Sequence, residues 1–362
     1  MRSKDPKKIA LALQGGGAHG AFTWGVLDRF LEDERIAIEG ISGTSAGAMN
    51  AVVTADGLEG GGRRGARGAL EEFWGAISRH GSFSPYHSGP FNPWGADWTP
   101  AALWLDVLSL MVSPYQLNPF NLNPLRQVLE ETVDFERLRR SKSVQLYVSA
   151  TNVRTNHLHV FDTPRISLES VLASACLPQL HHAVEVEGEF YWDGGFMGNP
   201  VLEPLVRRCQ SSDIVIVQLN PTHRAEVPTT SYEIAGRLNE ITFNASLMHE
   251  MRAIARITRM IETGLLRDSR YELTFLHLID AGEALSGLGV RSKLDTSWAF
   301  LTRLRDQGRS EAGRWLEENF THLGSRTTLD LAAWEPLDRS EASRAWPSPG
   351  SPRSDGPESG AP

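Results

Sequence analysis

Three groups of residues in this 362-residue chain carry reactive chemistry. The first is Ser45, set in Gly43-Thr-Ser-Ala-Gly47 directly after the apolar run Ile36–Ile41. A serine lifted out of a sharp strand-to-helix turn takes a strained backbone. The residues two before and two after it must then be small, and Gly43 and Gly47 meet that need. The second group is Gly15-Gly16-Gly17-Ala18-His19-Gly20, which follows Gln14. Glycines ahead of a helix expose several backbone N–H groups, and the helix N-terminus adds partial positive charge, so this loop suits an anion. The third is Asp193, which ends Phe190-Tyr191-Trp192 and is followed by Gly194 and Gly195. Two glycines allow close backbone approach, and a carboxylate there can take the proton of a serine hydroxyl.

These groups need rigid carriers. Ile9–Leu13 reads as a buried strand feeding the glycine loop, and residues 21–32 as the helix that the loop opens. Ile36–Ile41 is a second strand running into the serine turn, and the alternating run 184–189 places Asp193 at the end of another. Residues 144–150, 157–161, 213–219 and 273–279 read as further strands, with 201–209 as a crossover helix. Strand and helix patterns alternating in this way predict an α/β fold around a mostly parallel sheet. Residues 231–263 form a long helical pattern. Leu238, Ile241, Ala245, Met248, Met251, Ile254, Ala255 and Ile261 approximate its apolar face, with Arg252, Arg256 and Arg259 on another. Residues 295–320 read as a C-terminal helix interrupted near Gly308, residues 57–68 as a solvated glycine and arginine loop, and 337–362 as a disordered tail.

Two anions fit the glycine loop. Gly15-x-Gly17-x-x-Gly20, with Glu39 about 20 residues on, matches the fingerprint of a dinucleotide-binding oxidoreductase. That reading gives the second strand no reason to end in a serine. The alternative anion is the oxyanion formed when a nucleophile attacks an ester carbonyl, and it uses both loops at once.

Taken in order, the three motifs resemble the patatin-like phospholipase family: a glycine loop at Gly15–Gly20, Gly-x-Ser-x-Gly at Gly43–Gly47, and Asp-Gly-Gly at Asp193–Gly195. Ala173-Ser-Ala-Cys-Leu-Pro178 is similar to the family's small-residue helix ending in proline, and Asn199-Pro200 fits after the aspartate. The resemblance covers about residues 8–210. It implies a three-layer sandwich around a mostly parallel sheet, with Ser45 as nucleophile, Asp193 as base and no histidine in the catalytic pair. It also implies an oxyanion hole at Gly15, Gly16, Gly17 and Ala18, and a lipid carboxylic ester as substrate. One position departs from the pattern. The family loop commonly carries Arg or Lys before its last glycine, and this chain has His19. An imidazolium there would tie activity to pH. A Ser–Asp–His order is also met by Asp193 with His223, His249 or His277, but none of these sits in a loop with glycine punctuation. A lipid-binding protein of the same fold that has lost turnover is the third class.

With 41% hydrophobic and 22% charged residues the chain supports a sizeable core, and a net charge of −8 disfavours nucleic acid and strong polybasic membrane attraction. No Cys/His ligand spacing or calcium loop stands in the sequence, so neither metal nor cofactor is expected. Two cysteines give no disulfide framework. The run Ile9–Leu13 is short for a signal core, and no stretch approaches the roughly 18 apolar residues of a spanning helix, so a cytoplasmic protein is expected, peripheral to membrane at most. Residues 83–124 hold eight aromatics, about twice the chain's average density, and suit either a cap that meets lipid or a subdomain over the sheet. The expected organisation is a catalytic domain at 8–210 with an insertion at about 58–140, and an α/β extension at 211–336 packed on it. The sequence sets no oligomeric state.

Overall fold

A computed structural model describes residues 5–81, 112–224, 226–267, 273–285 and 287–329. Eight strands form one sheet: β1 (Lys7–Leu13), β2 (Ile36–Gly43), β3 (Gln145–Asn152), β4 (Leu158–Asp162), β5 (Val184–Val186), β6 (Glu189–Asp193), β7 (Asp213–Gln218) and β8 (Phe275–Asp280). The order is β5-β6-β3-β2-β1-β7-β8, with β4 also on β3. Strands β1, β2, β3, β7 and β8 pair in parallel, while β4 and β6 run antiparallel to β3, and β5 to β6. The fold is therefore α/β around a mostly parallel sheet. All six residues of β7 are buried, as in a strand covered on both faces.

From β1 the chain steps to β2 and β3 toward one edge, and from β7 to β8 toward the other. Right-handed crossovers then put α1 (Gly20–Glu32) and α2 (Ala46–Gly81) on one face and the helix Ser231–Glu262 on the other. Strands β7 and β8 lie beyond residue 210 yet belong to the same sheet as β1, and residues 1–329 form one compact unit.

Three expectations are corrected. Residues 57–68 are helical: α2 passes through them as two segments meeting at Gly61 and Gly62, the latter at φ +61°. A Cβ on Gly57 would lie 2.5 Å from Ala66 Cα, so the glycine lets the two segments touch. Arg63 donates to the carbonyls of Leu31, Asp33 and Ile36, and Arg67 pairs with Asp28, so these arginines close the end of α1 instead of facing solvent. The C-terminal helix Trp298–Asn319 is not interrupted at Gly308. A Cβ there would stand 2.0 Å from the Phe22 carbonyl, and one on Gly25 2.0 Å from that of Arg305, so paired glycines let this helix cross α1 in contact. The helix Ser231–Glu262 buries Glu240, Phe243, Asn244, Leu247, Met251 and Thr258. Leu238 and Ile241, placed on its apolar face from sequence, are 60% and 52% exposed. The buried face is partly polar, which an apolar periodicity does not detect. Residues 82–111, including Trp94, Trp98 and most of the aromatic-rich stretch, lie outside the described residues, as does the tail from 330. Among the described residues no helix is long and apolar enough to cross a membrane.

Candidate active site

Strand β3 is the common template. Gly43, two residues before Ser45, pairs with Val148, and Asp193 at the end of β6 pairs with Ala150. Serine and aspartate thus leave their strands at neighbouring positions along β3. The end of helix Leu168–Ser174 and the residues just after it tie them together: Ser45 N–H donates to Ser174 Oγ at 2.9 Å, and Asp193 N–H to the Cys176 carbonyl at 2.8 Å.

Ser45 has φ +54°, a left-handed conformation that L residues adopt at a cost of about 1–3 kcal/mol when surrounding contacts enforce it. The enforcing contacts are close. A Cβ on Gly47 would stand 2.1 Å from the Leu13 carbonyl, so only glycine lets the helix start against β1. Gly43 packs on the Gly47 carbonyl and Gly20 on Ala46, while Gly194 lies on the Ser149 carbonyl. These four glycines act by close packing and do not line the cavity.

Asp193 is fully enclosed. Its Oδ1 accepts from Gly195 N–H at 2.7 Å, and Oδ2 has no hydrogen-bond partner among the described residues. Burial pushes the carboxyl up from 3.8 to about 7, against the opposing pull of the Gly195 amide, the Ser45 hydroxyl and the Lys293 ammonium. Ser45 is near enough to favour the carboxylate without a close hydrogen bond, an open resting geometry of the kind that tightens when substrate binds.

The glycine loop becomes a single 3-10 turn, Gly17–His19, ahead of α1, with Gly17 at φ +59°. The Gly16, Gly17 and Ala18 amides meet no protein acceptor among the described residues, as expected for the first N–H groups of a helical turn. Gly15 differs: its amide donates to Asn199 Oδ1 at 2.7 Å and is not free for an oxyanion. Gly15, Gly16, Gly17, Ala18, Ser45 and Asp193 all line one cavity of about 620 Å³. Met49, Phe73, Trp74, Ile77, Leu177 and Phe243 form much of its apolar wall.

His19 does not bring charge to this cavity. Its ring is buried, with Nε2 2.7 Å from Ser292 Oγ. Burial, then the Lys293 charge, pushes the imidazole down from 6.5 to about 3, so it stays neutral near physiological pH. The expected imidazolium effect is thereby overturned. Glu39 is likewise unavailable to a ribose: its two oxygens accept from the Gln210 and Ser211 amides, four residues before the end of β2. His223, His249 and His277 do not line the cavity. His277 is buried on β8 between Asp213 and Thr328, at 3.0 and 2.8 Å.

A family model described as a patatin-like phospholipase matches residues 11–206. The chain belongs to the patatin-like phospholipase family. The uncharacterized protein YjjU of Escherichia coli strain K12 is 46% identical over 50 residues, a stretch spanning 14% of each chain. Among solved structures, VipD from Legionella pneumophila is similar at 16% identity and TM-score 0.37, over 84% of this chain and 67% of that one. Full-length ExoU of Pseudomonas aeruginosa, solved with full-length SpcU, gives 17% and 0.28 over 88% and 72%.

Outside the family match, the cavity also takes in Asn239, Phe243, Lys293 and Leu294, and within it His181, none of which has a local sequence signature. Phe243 abuts Gly195, where a Cβ would stand 2.2 Å from its ring, so the long helix presses on the aspartate loop.

Proposed function

We propose that this member of the patatin-like phospholipase family is a serine acyl hydrolase that cleaves lipid carboxylic esters through Ser45 and Asp193. The observation that carries this reading is the meeting, in one apolar cavity, of a strained serine, a buried carboxylate and unpartnered backbone amides. Ser45 Oγ attacks the ester carbonyl as its proton passes to Asp193. The Gly16, Gly17 and Ala18 amides stabilise the resulting oxyanion. The intermediate collapses, the proton goes to the leaving alkoxide, and an acyl-serine remains. Water then attacks, Asp193 takes its proton, and collapse releases the carboxylic acid while the proton returns to Ser45. A base near 7 is matched to neutral pH. Only the carboxylate accepts a proton, so turnover climbs with pH up to about 7 and levels off above it.

The apolar wall suits the acyl chain, each buried methylene contributing about 0.8 kcal/mol. Tyr115 stacks on His182, and Phe120 and Leu122 are 84% and 70% exposed just before the cavity residues Asn123–Leu125. This edge fits transient contact with a lipid surface, and Phe120→Asp with Leu122→Asp is expected to lower co-sedimentation with phospholipid vesicles. The central test is fluorophosphonate labelling of wild type, Ser45→Ala and Asp193→Asn, with hydrolysis of a soluble p-nitrophenyl ester. Labelling lost in Ser45→Ala and turnover lost in both variants is the expected result. A wild type that neither labels nor turns over sinks the reading and leaves a lipid-binding protein of the same fold.

A further inference from the structure

One charged side chain in the cavity takes no part in the chemistry above. Lys293 lies in the turn Val290–Leu294, far along the chain from the glycine loop. Its Nζ donates to Asn220 Oδ1 at 2.7 Å. Asn220 in turn donates through Nδ2 to the Gly15 carbonyl at 3.1 Å, and through its backbone N–H to Gln14 Oε1 at 2.7 Å. The Lys293 carbonyl occupies the far side of Gly17, 2.4 Å from where a Cβ would stand. Side chain and main chain of one lysine therefore brace the loop at two points.

Burial pushes the Lys293 ammonium down, and the Glu240 and Asp193 carboxylates favour its charged form. Asn220 is neutral and uses one of the three ammonium donors. Glu240, the nearby acid of the long helix, is already held by Arg224 and Arg237. Around Asp193, the other titratable groups are neutral or driven toward neutrality. Burial pushes the Cys176 thiol up to about 12, and pushes the His181 imidazole down, while His19 is uncharged. Lys293 is thus the cation that bears on the carboxylate, and the lining of the cavity includes both.

We propose that Lys293 is a positioning residue of this site: it fixes the glycine-loop amides through Asn220 and Gly17, and from the same cavity its charge favours the Asp193 carboxylate against the neutral acid. The consequence for rate rests on the hydrolase reading, whereas the coupling of the two side chains does not. The test is a carboxyl-carbon NMR titration of aspartate-labelled protein, with Asp193 assigned by its loss in Asp193→Asn. Wild type, Lys293→Arg, Lys293→Met and Lys293→Gln are compared, the glutamine keeping a donor for Asn220 if methionine fails to fold. Removing the charge is expected to move the Asp193 midpoint upward, with Lys293→Arg close to wild type. The acid limb of fluorophosphonate labelling moves in step. A midpoint unmoved in the uncharged variants overturns the proposal even if labelling is normal. A moved midpoint in a protein that never labels sustains the coupling and overturns the hydrolase reading.

Discussion

The cavity is built from two regions that differ in how their residues are specified. Between residues 15 and 193, each reactive group sits at the end of a strand and is framed by its own glycines, so position follows from a few adjacent residues. Between residues 220 and 294, Phe243 and Lys293 reach the same cavity from the middle of a long helix and an irregular turn, and Asn220, just past the end of β7, braces the glycine loop behind it. In the proposed reaction the first region carries the bond-breaking groups. The second sets the electrostatic and steric surroundings in which they work. Reactive groups must be placed to a fraction of an ångström and so need local rigidity, whereas a wall or a charge can be supplied from anywhere that packs.

That contrast can be tested from the largest effect downward. Ser45→Ala is expected to reduce ester turnover on the order of a millionfold, measured as kcat/KM on a soluble ester. Gly17→Ala probes the seam between the regions. A side chain at φ +59° against the Lys293 carbonyl must displace the loop, and a loss of about a hundredfold in kcat is expected, the scale of one misplaced oxyanion donor. Phe243→Ala removes a wall residue of the second region whose ring also rests on Gly195, and it is expected to raise KM about tenfold for long-chain esters, from lost apolar contact. Equal loss on an acetyl ester would break the division, by showing that the long helix shapes the chemistry as well as the wall.

Asp193→Asn gives a thermodynamic reading of the same carboxyl. Its folded-state value lies above the ordinary one, so folding takes up a proton and stability falls as pH rises from about 3.8 to about 7. The variant should therefore match wild type near pH 3.5 and melt at higher temperature from pH 7 upward, by on the order of 4 kcal/mol in stability. Calorimetric melts across pH check it, and equal melting at pH 8 would remove the buried-charge account. Smallest of all, His223→Ala and His249→Ala should leave turnover within experimental scatter, since neither lines the cavity.

Much of this was legible from the chain. The α/β alternation is strong because buried parallel strands such as Asp213–Gln218 are apolar throughout, and glycines mark where backbones touch. Glycine is also where sequence reading went astray. Gly57, Gly65 and Gly308 look like flexible breaks, yet they serve helix crossings, and nothing local distinguishes the two uses. Glu240 and Asn244 are buried by Arg224 and Gln14, so the buried face of their helix is invisible to an apolar count. His19 looks like a charge donor until its enclosure by Ser292 and Phe300 is known. Lys293 gave no signal because its meaning lies wholly in its partners.

The strand order has one more consequence. β1 lies between β2 and β7, and β7 comes from beyond the end of the family match at residue 206. A fragment cut at residue 206 keeps Ser45, Asp193 and the glycine loop but strips one side of β1, leaving the Ala10–Leu13 backbone that pairs with Ile214–Val217 as a bare hydrophobic edge. Such an edge recruits other chains. The shortest piece holding the whole chemistry is thus also the piece most prone to aggregate, and the later strands act as the chain's built-in guard against self-association.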